Sequence, residues 1–249
     1  MDYSRFAHLY DSCVNFDADL PFFVEECLAV SGSVLELMAG TGRVTAELVK
    51  CGLRPTCVDS SRDMLARLAN KTTAESRHIV CADVRNLPFS HAFSIAILPF
   101  NSFCELVSEE ARHTALNSVR AALAPRGRFI CTLHNPAFRL KSVTPQPHVV
   151  TRFPSPSGCG EVLVSVASEY DADRGVVSGT QTFTTIHDGE VVDEISVPVE
   201  FCLPSQAWFA EAARANGFTV EALFGDYDRS EYNPESSPYF IWCLKEGAA

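Results

Sequence analysis

Apolar positions along the first 143 residues fall into short unbroken runs separated by amphipathic stretches, and this succession predicts alternating strands and helices. The runs at 34–37, 55–59, 77–82, 93–98 and 128–133 read as strands. Residues 44–51, 62–69 and 108–123 read as the helices between them, the last stopped by Pro125-Arg-Gly. Upstream, Phe6, Leu9, Tyr10 and Cys13 recur at helical spacing, and Asp17-Ala-Asp-Leu-Pro opens a second helix running to about residue 30. From residue 144 the period changes. Residues 149–153, 161–170, 176–186 and 191–203 alternate as strands, with Asp171-Ala-Asp-Arg-Gly and His187-Asp-Gly as hairpin turns. A helix at 205–216 ends at Gly217, a strand follows at 218–224, and a long polar loop leads to a last strand at 239–245 that must run antiparallel to its predecessor.

The stretch that organises this pattern is Ser33-Val-Leu-Glu-Leu-Met-Ala-Gly-Thr-Gly-Arg: a strand, a glycine loop and the start of a helix. Gly40 and Gly42 let backbone approach a ligand closely, and the helix N-terminus offers unpaired N–H groups to an acceptor on it. Dinucleotide sites use the same device, with an acid about 20 residues further on, and Asp59 falls at that spacing. Glu36 separates the two readings. A carboxylate at the end of the first strand repels a pyrophosphate and suits a cationic ligand.

Residues 34–43 resemble the first motif of the class I S-adenosylmethionine-dependent methyltransferases, a strand ending in acid-x-Gly-x-Gly-x-Gly, and later segments match in the expected order. Met38 stands where that family most often has its first glycine. The resemblance implies an α/β fold with a Rossmann-like, seven-stranded, mostly parallel sheet whose last strand is antiparallel, plus a small antiparallel β insertion. It divides the chain into a cofactor-binding core with an N-terminal helical lid at 1–143, an insertion at 144–203 that roofs the substrate or contacts a second copy, and the rest of the core at 204–249.

The cofactor implied is S-adenosylmethionine. By the resemblance, Glu36, Gly40, Gly42 and Arg43 surround its cationic end, with Pro99 beyond the fourth strand. Asp59, with Ser60 beside it, takes the ribose hydroxyls, or else Asp59 caps the helix that follows. Asp83 receives the adenine amine and the backbone N–H of Val84 a ring nitrogen, the alternative for Asp83 being a turn. Tyr10, and after it Tyr3, sits on a first helix that either closes over the sulfonium or simply packs.

For catalysis the strand ends offer His134, whose imidazole titrates near working pH and suits a general base, and Asn101. Asn101 and Glu105 either orient a substrate amine or cap the next helix. Asn135, Tyr227 and Tyr232 complete the substrate-side candidates, the two tyrosines from a loop that topology puts on the same edge of the sheet.

Composition narrows the partners. A net charge of -11 with no offsetting basic run repels phosphate backbones and anionic lipid, so neither nucleic acid nor a membrane surface is expected. Residues 93–100 form the longest apolar run, far short of the roughly 20 needed to span a bilayer, and Met1-Asp-Tyr starts no signal-like core, which places the expectation in the cytoplasm. Ten cysteines are scattered without a C-x-x-C pair; Cys57, Cys81, Cys131 and Cys243 sit in strand-like runs and read as buried small hydrophobes, so no metal is expected. The activity expected is methyl transfer to a nitrogen or oxygen of a small metabolite, with a homodimer through the insertion as one option. A non-catalytic S-adenosylmethionine-binding protein and an NAD-dependent oxidoreductase are the alternatives.

Overall fold

The computed structural model describes residues 2–247. Two helices, α1 (Ala7–Cys13) and α2 (Leu20–Leu28), precede β1 (Val34–Leu37), and the alternation continues through α3 (Arg43–Lys50), β2 (Thr56–Asp59), α4 (Arg62–Lys71), β3 (His78–Cys81), β4 (Phe93–Leu98), α5 (Glu109–Ala122) and β5 (Leu123–His134). Helix starts follow local chemistry: the hydroxyls of Ser61, Ser108 and, further on, Ser205 accept from the backbone N–H groups of Met64, Ala111 and Trp208.

After a single helical turn, α6 (Pro136–Arg139), the chain leaves the core for β6 (His148–Pro154), β7 (Glu161–Asp171), β8 (Val176–His187) and β9 (Glu190–Cys202), which pair in that order as a four-stranded antiparallel sheet. The core resumes with α7 (Gln206–Ala215), β10 (Phe218–Phe224) and β11 (Tyr239–Glu246). The main sheet has seven strands in the order β10-β11-β5-β4-β1-β2-β3, parallel except for β11, which is antiparallel to both β10 and β5. Strand β5 begins five residues before the apolar run that predicts it, because Leu123 pairs with Phe93 ahead of a register shift that restores pairing at Ile95 and Arg128.

Burial on both faces explains the unbroken apolar runs. On one face Leu35, Leu37, Ala96 and Phe129 pack beneath α5 and α7; on the other Val34, Ile95, Ile97 and Ile130 pack beneath α2 and α3. Glu36 points to this second face, among apolar neighbours, and is 1% exposed. Cys57, Cys131 and Cys243 are buried as expected. Cys81 is exposed, because β3 is the edge strand and its outward position has no cover.

The first helix does not pack on the main sheet. Phe6 and Leu9 join Phe153, Val162, Val164, Phe183 and Val197 of the second sheet in a separate apolar cluster, with the Phe6 and Phe183 rings stacked at 5.0 Å. Lid and insertion are therefore one unit, held over the carboxyl ends of the parallel strands.

Candidate active site

Strand order reverses between β1 and β4, and ligands of open α/β sheets bind outside the carboxyl ends of the strands at such a point. A cavity of about 410 Å³ opens there, bordered by Tyr10, Gly40, Asp59, Ser60, Asp83 and Val84 among others. Asp59 ties its floor together: one oxygen accepts the Gly40 N–H at 2.8 Å and the other the Ser61 N–H at 2.8 Å. A carboxylate oxygen accepts more than one hydrogen bond, and Asp59 lines the cavity. Burial raises the pKa of this carboxyl while the backbone N–H groups pull it down. Asp59 does not cap α4, a role held by Ser61. Asp83 is gripped by its neighbour Arg85, whose Nε donates to both carboxylate oxygens and whose Nη2 donates to Oδ2.

The loop after β1 turns on three left-handed residues, Met38 (φ 51), Gly40 (φ 57) and Gly42 (φ 79). Met38 thus adopts a backbone conformation that favours glycine, and its side chain borders the cavity. Gly42 serves packing: a Cβ there would lie 2.5 Å from Leu68 Cγ of α4, and Gly42 does not line the cavity.

A small recess of about 30 Å³ adjoins the cavity and reaches Glu36, Tyr10, Arg43 and Pro99. Arg43 is held bidentately by Asp19 at 2.5 and 2.7 Å and lies over the Phe16 and Phe100 rings, so it pins the N-terminal segment to the glycine loop. Glu36 has no ion-pair partner among the described residues. Thr45 Oγ1 donates to it at 2.5 Å, and burial pushes its pKa up to about 7. A buried carboxylate without a cation is costly, and a cationic ligand group in the recess relieves that cost.

A second cavity of about 390 Å³ lies between the strand ends and the antiparallel sheet, and Tyr3, Tyr10, Ser102 and Glu105 wall both cavities. Tyr3 donates its hydroxyl to Glu105 Oε1 at 2.5 Å, and burial raises the Glu105 carboxyl above its ordinary value. Asn101 borders this second space in a left-handed conformation (φ 60), directly after Phe100 in the same conformation. Its backbone N–H donates to Thr132 Oγ1 at 3.0 Å, while its Oδ1 is buried with no hydrogen-bond partner. Two consecutive non-glycine residues in that region cost about 1–3 kcal/mol each, strain of the kind that collects at functional sites.

Four expectations need correction. His134 lines the second cavity, but burial and the neighbouring Arg139 cation hold its pKa down to about 3, so it is a neutral, weakly basic imidazole and no general base near pH 7. Asn135 is 2% exposed and spent on structure: its Oδ1 caps α6 by accepting the Ala137 N–H, and its Nδ2 donates to the carbonyls of Pro234 and Ser237. Tyr227 is buried among Phe16, Phe22, Phe23 and Tyr239 on the α2 face. Tyr232 packs on Phe240 at 5.0 Å and borders neither cavity. The two tyrosines pack on opposite faces of the main sheet, Tyr227 with the α2 cluster and Tyr232 with the α5 cluster.

Reasoning from the sequence named Tyr3 but not its bond to Glu105, and it missed Arg139 as a cavity cation. Neither has a local pattern to announce it, since both are placed by contacts across the second sheet and the strand ends.

The fold is that of solved class I S-adenosylmethionine-dependent methyltransferases. Residues 34–127 match the family model of the methyltransferase domain, and solved structures of the same fold, CalS10 from Micromonospora echinaspora and the glycopeptide N-methyltransferase MtfA, hold S-adenosylmethionine. A putative methyltransferase, YqeM of Bacillus subtilis (strain 168), is 22% identical over 98% of this chain and 98% of its own. The cypemycin N-terminal methyltransferase of a Streptomyces species is 27% identical over 84% of this chain and 81% of its own. Among solved structures, the CcbJ methyltransferase from Streptomyces caelestis superposes with a TM-score of 0.82 at 21% identity, covering 98% of this chain and 96% of that one. The antiparallel β11 between β10 and β5 belongs to this fold and not to the dinucleotide fold weighed as its rival.

Proposed function

We propose that the chain methylates a nitrogen or oxygen of a small molecule seated in the second cavity. The observation that carries the reading is the common wall: Tyr3, Tyr10, Ser102 and Glu105 face both the cofactor cavity and the space beneath the antiparallel sheet, so an acceptor in the second meets the reactive end of a ligand in the first. A cavity of about 390 Å³, roofed by a sheet, suits a compact metabolite. The cypemycin enzyme, by its name, acts on an N-terminus, which favours nitrogen as the acceptor atom.

The residues present fit S-adenosylmethionine. Asp59 holds the ribose hydroxyls on its free lone pairs, Asp83 and the Val84 backbone take the adenine edge, and Glu36 faces the cationic end across the recess beside Tyr10. Bound there, the cofactor supplies a methyl group already activated by the positive sulfur. The chain's task is then to hold the acceptor in line, and orientation of this kind is worth roughly 7–11 kcal/mol in favourable cases. The acceptor's nucleophilic atom sits beside Asn101 at the cavity wall, and Glu105 takes its proton on Oε2, the oxygen that Tyr3 leaves free. His134 contributes a neutral wall.

Calorimetric titration of the purified chain with S-adenosylmethionine, S-adenosylhomocysteine and NAD tests the cofactor part, with Asp59→Ala as the control. The two adenosyl ligands bind, NAD does not, and the variant weakens them at least tenfold. Methyl transfer from labelled cofactor to a panel of amines, phenols and carbon acids tests the acceptor class, and labelling of the carbon acids alone overturns it.

A further inference from the structure

Two cations border the substrate side of the site without an acidic partner. Arg139 lines the second cavity, and it also lines an adjoining vestibule of about 380 Å³, together with His134, Phe138, Lys141 and Tyr239. Its guanidinium lies over the Phe201 ring at 5.0 Å and donates only to the hydroxyl of Ser142. Lys141 Nζ sits over the Phe138 ring at 5.4 Å. Neither makes a salt bridge among the described residues, whereas Arg43, Arg120, Arg128, Arg174 and Arg229 all do.

Several other arginines also lack an ion pair among the described residues, but Arg139 lacks one while half-buried in a cavity wall. Nor do the acids of the cavity serve: Glu105 is bonded to Tyr3, and Glu200 is paired with Arg174 at 3.2 Å. Burial holds the Arg139 guanidinium below its ordinary pKa, as befits a cation that has lost water without gaining an anion. Arginine presents a planar donor fork that matches carboxylate and phosphoryl oxygens, and lysine supplies a point charge beside it.

We infer that the methyl acceptor carries an anionic group, a carboxylate or a phosphoryl, bound by Arg139 with help from Lys141, while its nucleophilic nitrogen or oxygen reaches Asn101 and Glu105 at the other end of the cavity. The inference rests on the reading of the second cavity as the acceptor site. It goes beyond that reading in assigning the acceptor's charge and the residue that selects for it. Val164, Val166 and Val199 also line the cavity, so the acceptor bears apolar surface beside its polar groups.

The test uses the full chain saturated with S-adenosylhomocysteine, titrated calorimetrically with phenylacetate, its neutral isostere phenylacetamide, and inorganic pyrophosphate. Phenylacetate or pyrophosphate binds at least tenfold more tightly than phenylacetamide, Arg139→Gln removes that preference, and Arg139→Lys restores part of it, the loss being about tenfold or more for a charge-assisted contact. Lys141→Gln weakens binding by a smaller factor. Preference for phenylacetate assigns a carboxylate and preference for pyrophosphate a phosphoryl; either supports the inference. Equal binding of phenylacetate and phenylacetamide without pyrophosphate binding, or an anion preference that survives Arg139→Gln, overturns it while leaving the methyltransferase assignment intact. Failure of S-adenosylhomocysteine itself to bind overturns the site reading and the inference with it. Unchanged affinity of the Arg139 variants for S-adenosylhomocysteine shows that they remain folded.

Discussion

Glu36→Gln is the most informative substitution, because the native carboxyl is both fully buried and displaced in pKa. A carboxyl moved from 4.5 in the unfolded chain to about 7 in the ligand-free fold corresponds to ~3 kcal/mol of differential stability. The folded state holds its proton where the unfolded state has released it, so stability is greatest below pH 4.5, falls as pH rises from 4.5 to about 7, and is level above. Glutamine does not titrate. Its amide needs an acceptor in a buried site, a cost of about 1–3 kcal/mol that is independent of pH. The quantity to read is therefore the difference between variant and native chain across the pH range, in which every other titrating group cancels. Denaturant unfolding of both ligand-free proteins from pH 4.5 to 8 measures it, and the variant gains up to ~3 kcal/mol on the native chain over that range. Cofactor binding mirrors the effect. Because the cationic end of S-adenosylmethionine prefers the ionised carboxylate, native affinity rises with pH up to about 7 and levels off, while the variant is weaker above pH 7 and flat. Unfolding curves that stay parallel at all pH values would refute the argument, since Glu36 would then ionise alike in folded and unfolded chains.

Other substitutions probe single links. His134→Gln leaves the pH dependence of turnover between 6 and 8 unchanged, because an imidazole held at about 3 does not titrate there; loss of a rate limb near 6.5 in the variant would restore the histidine as a base. Gly42→Ala destabilises the chain by about 2 kcal/mol or more in denaturant unfolding, through its left-handed backbone and the clash with Leu68, and a neutral result would contradict the packing described. Asn135→Ala lowers stability by about 2–3 kcal/mol by stripping bonds from the Ala137 N–H and two loop carbonyls, while S-adenosylhomocysteine affinity measured calorimetrically stays within twofold. Tyr3→Phe breaks the bond to Glu105 and speeds cofactor release by roughly tenfold in stopped-flow measurements, as the net worth of a hydrogen bond to a charged group requires.

What the sequence by itself determined was everything governed by local periodicity and local chemistry. Buried parallel strands read as unbroken apolar runs, serines capped the helices where the pattern changed, and Asp188-Gly189, both left-handed, made the hairpin turn written into the chain. The glycine loop, the acid in its strand and the acids at the next two strand ends were legible for the same reason: each answers to a requirement met within a few residues. Tertiary structure decided what depends on neighbours distant in sequence. Asn135 looked available until the loop at 234–237 closed on its amide, and Tyr227 looked like a site residue until α2 buried it. The basicity of His134 was set by burial and by Arg139, an environment no sequence window contains. The union of α1 with the second sheet, which covers the second cavity, came from apolar faces more than 140 residues apart. Secondary structure answers to spacing along the chain, whereas the burial and partners that tune a side chain's chemistry exist only once the elements have packed.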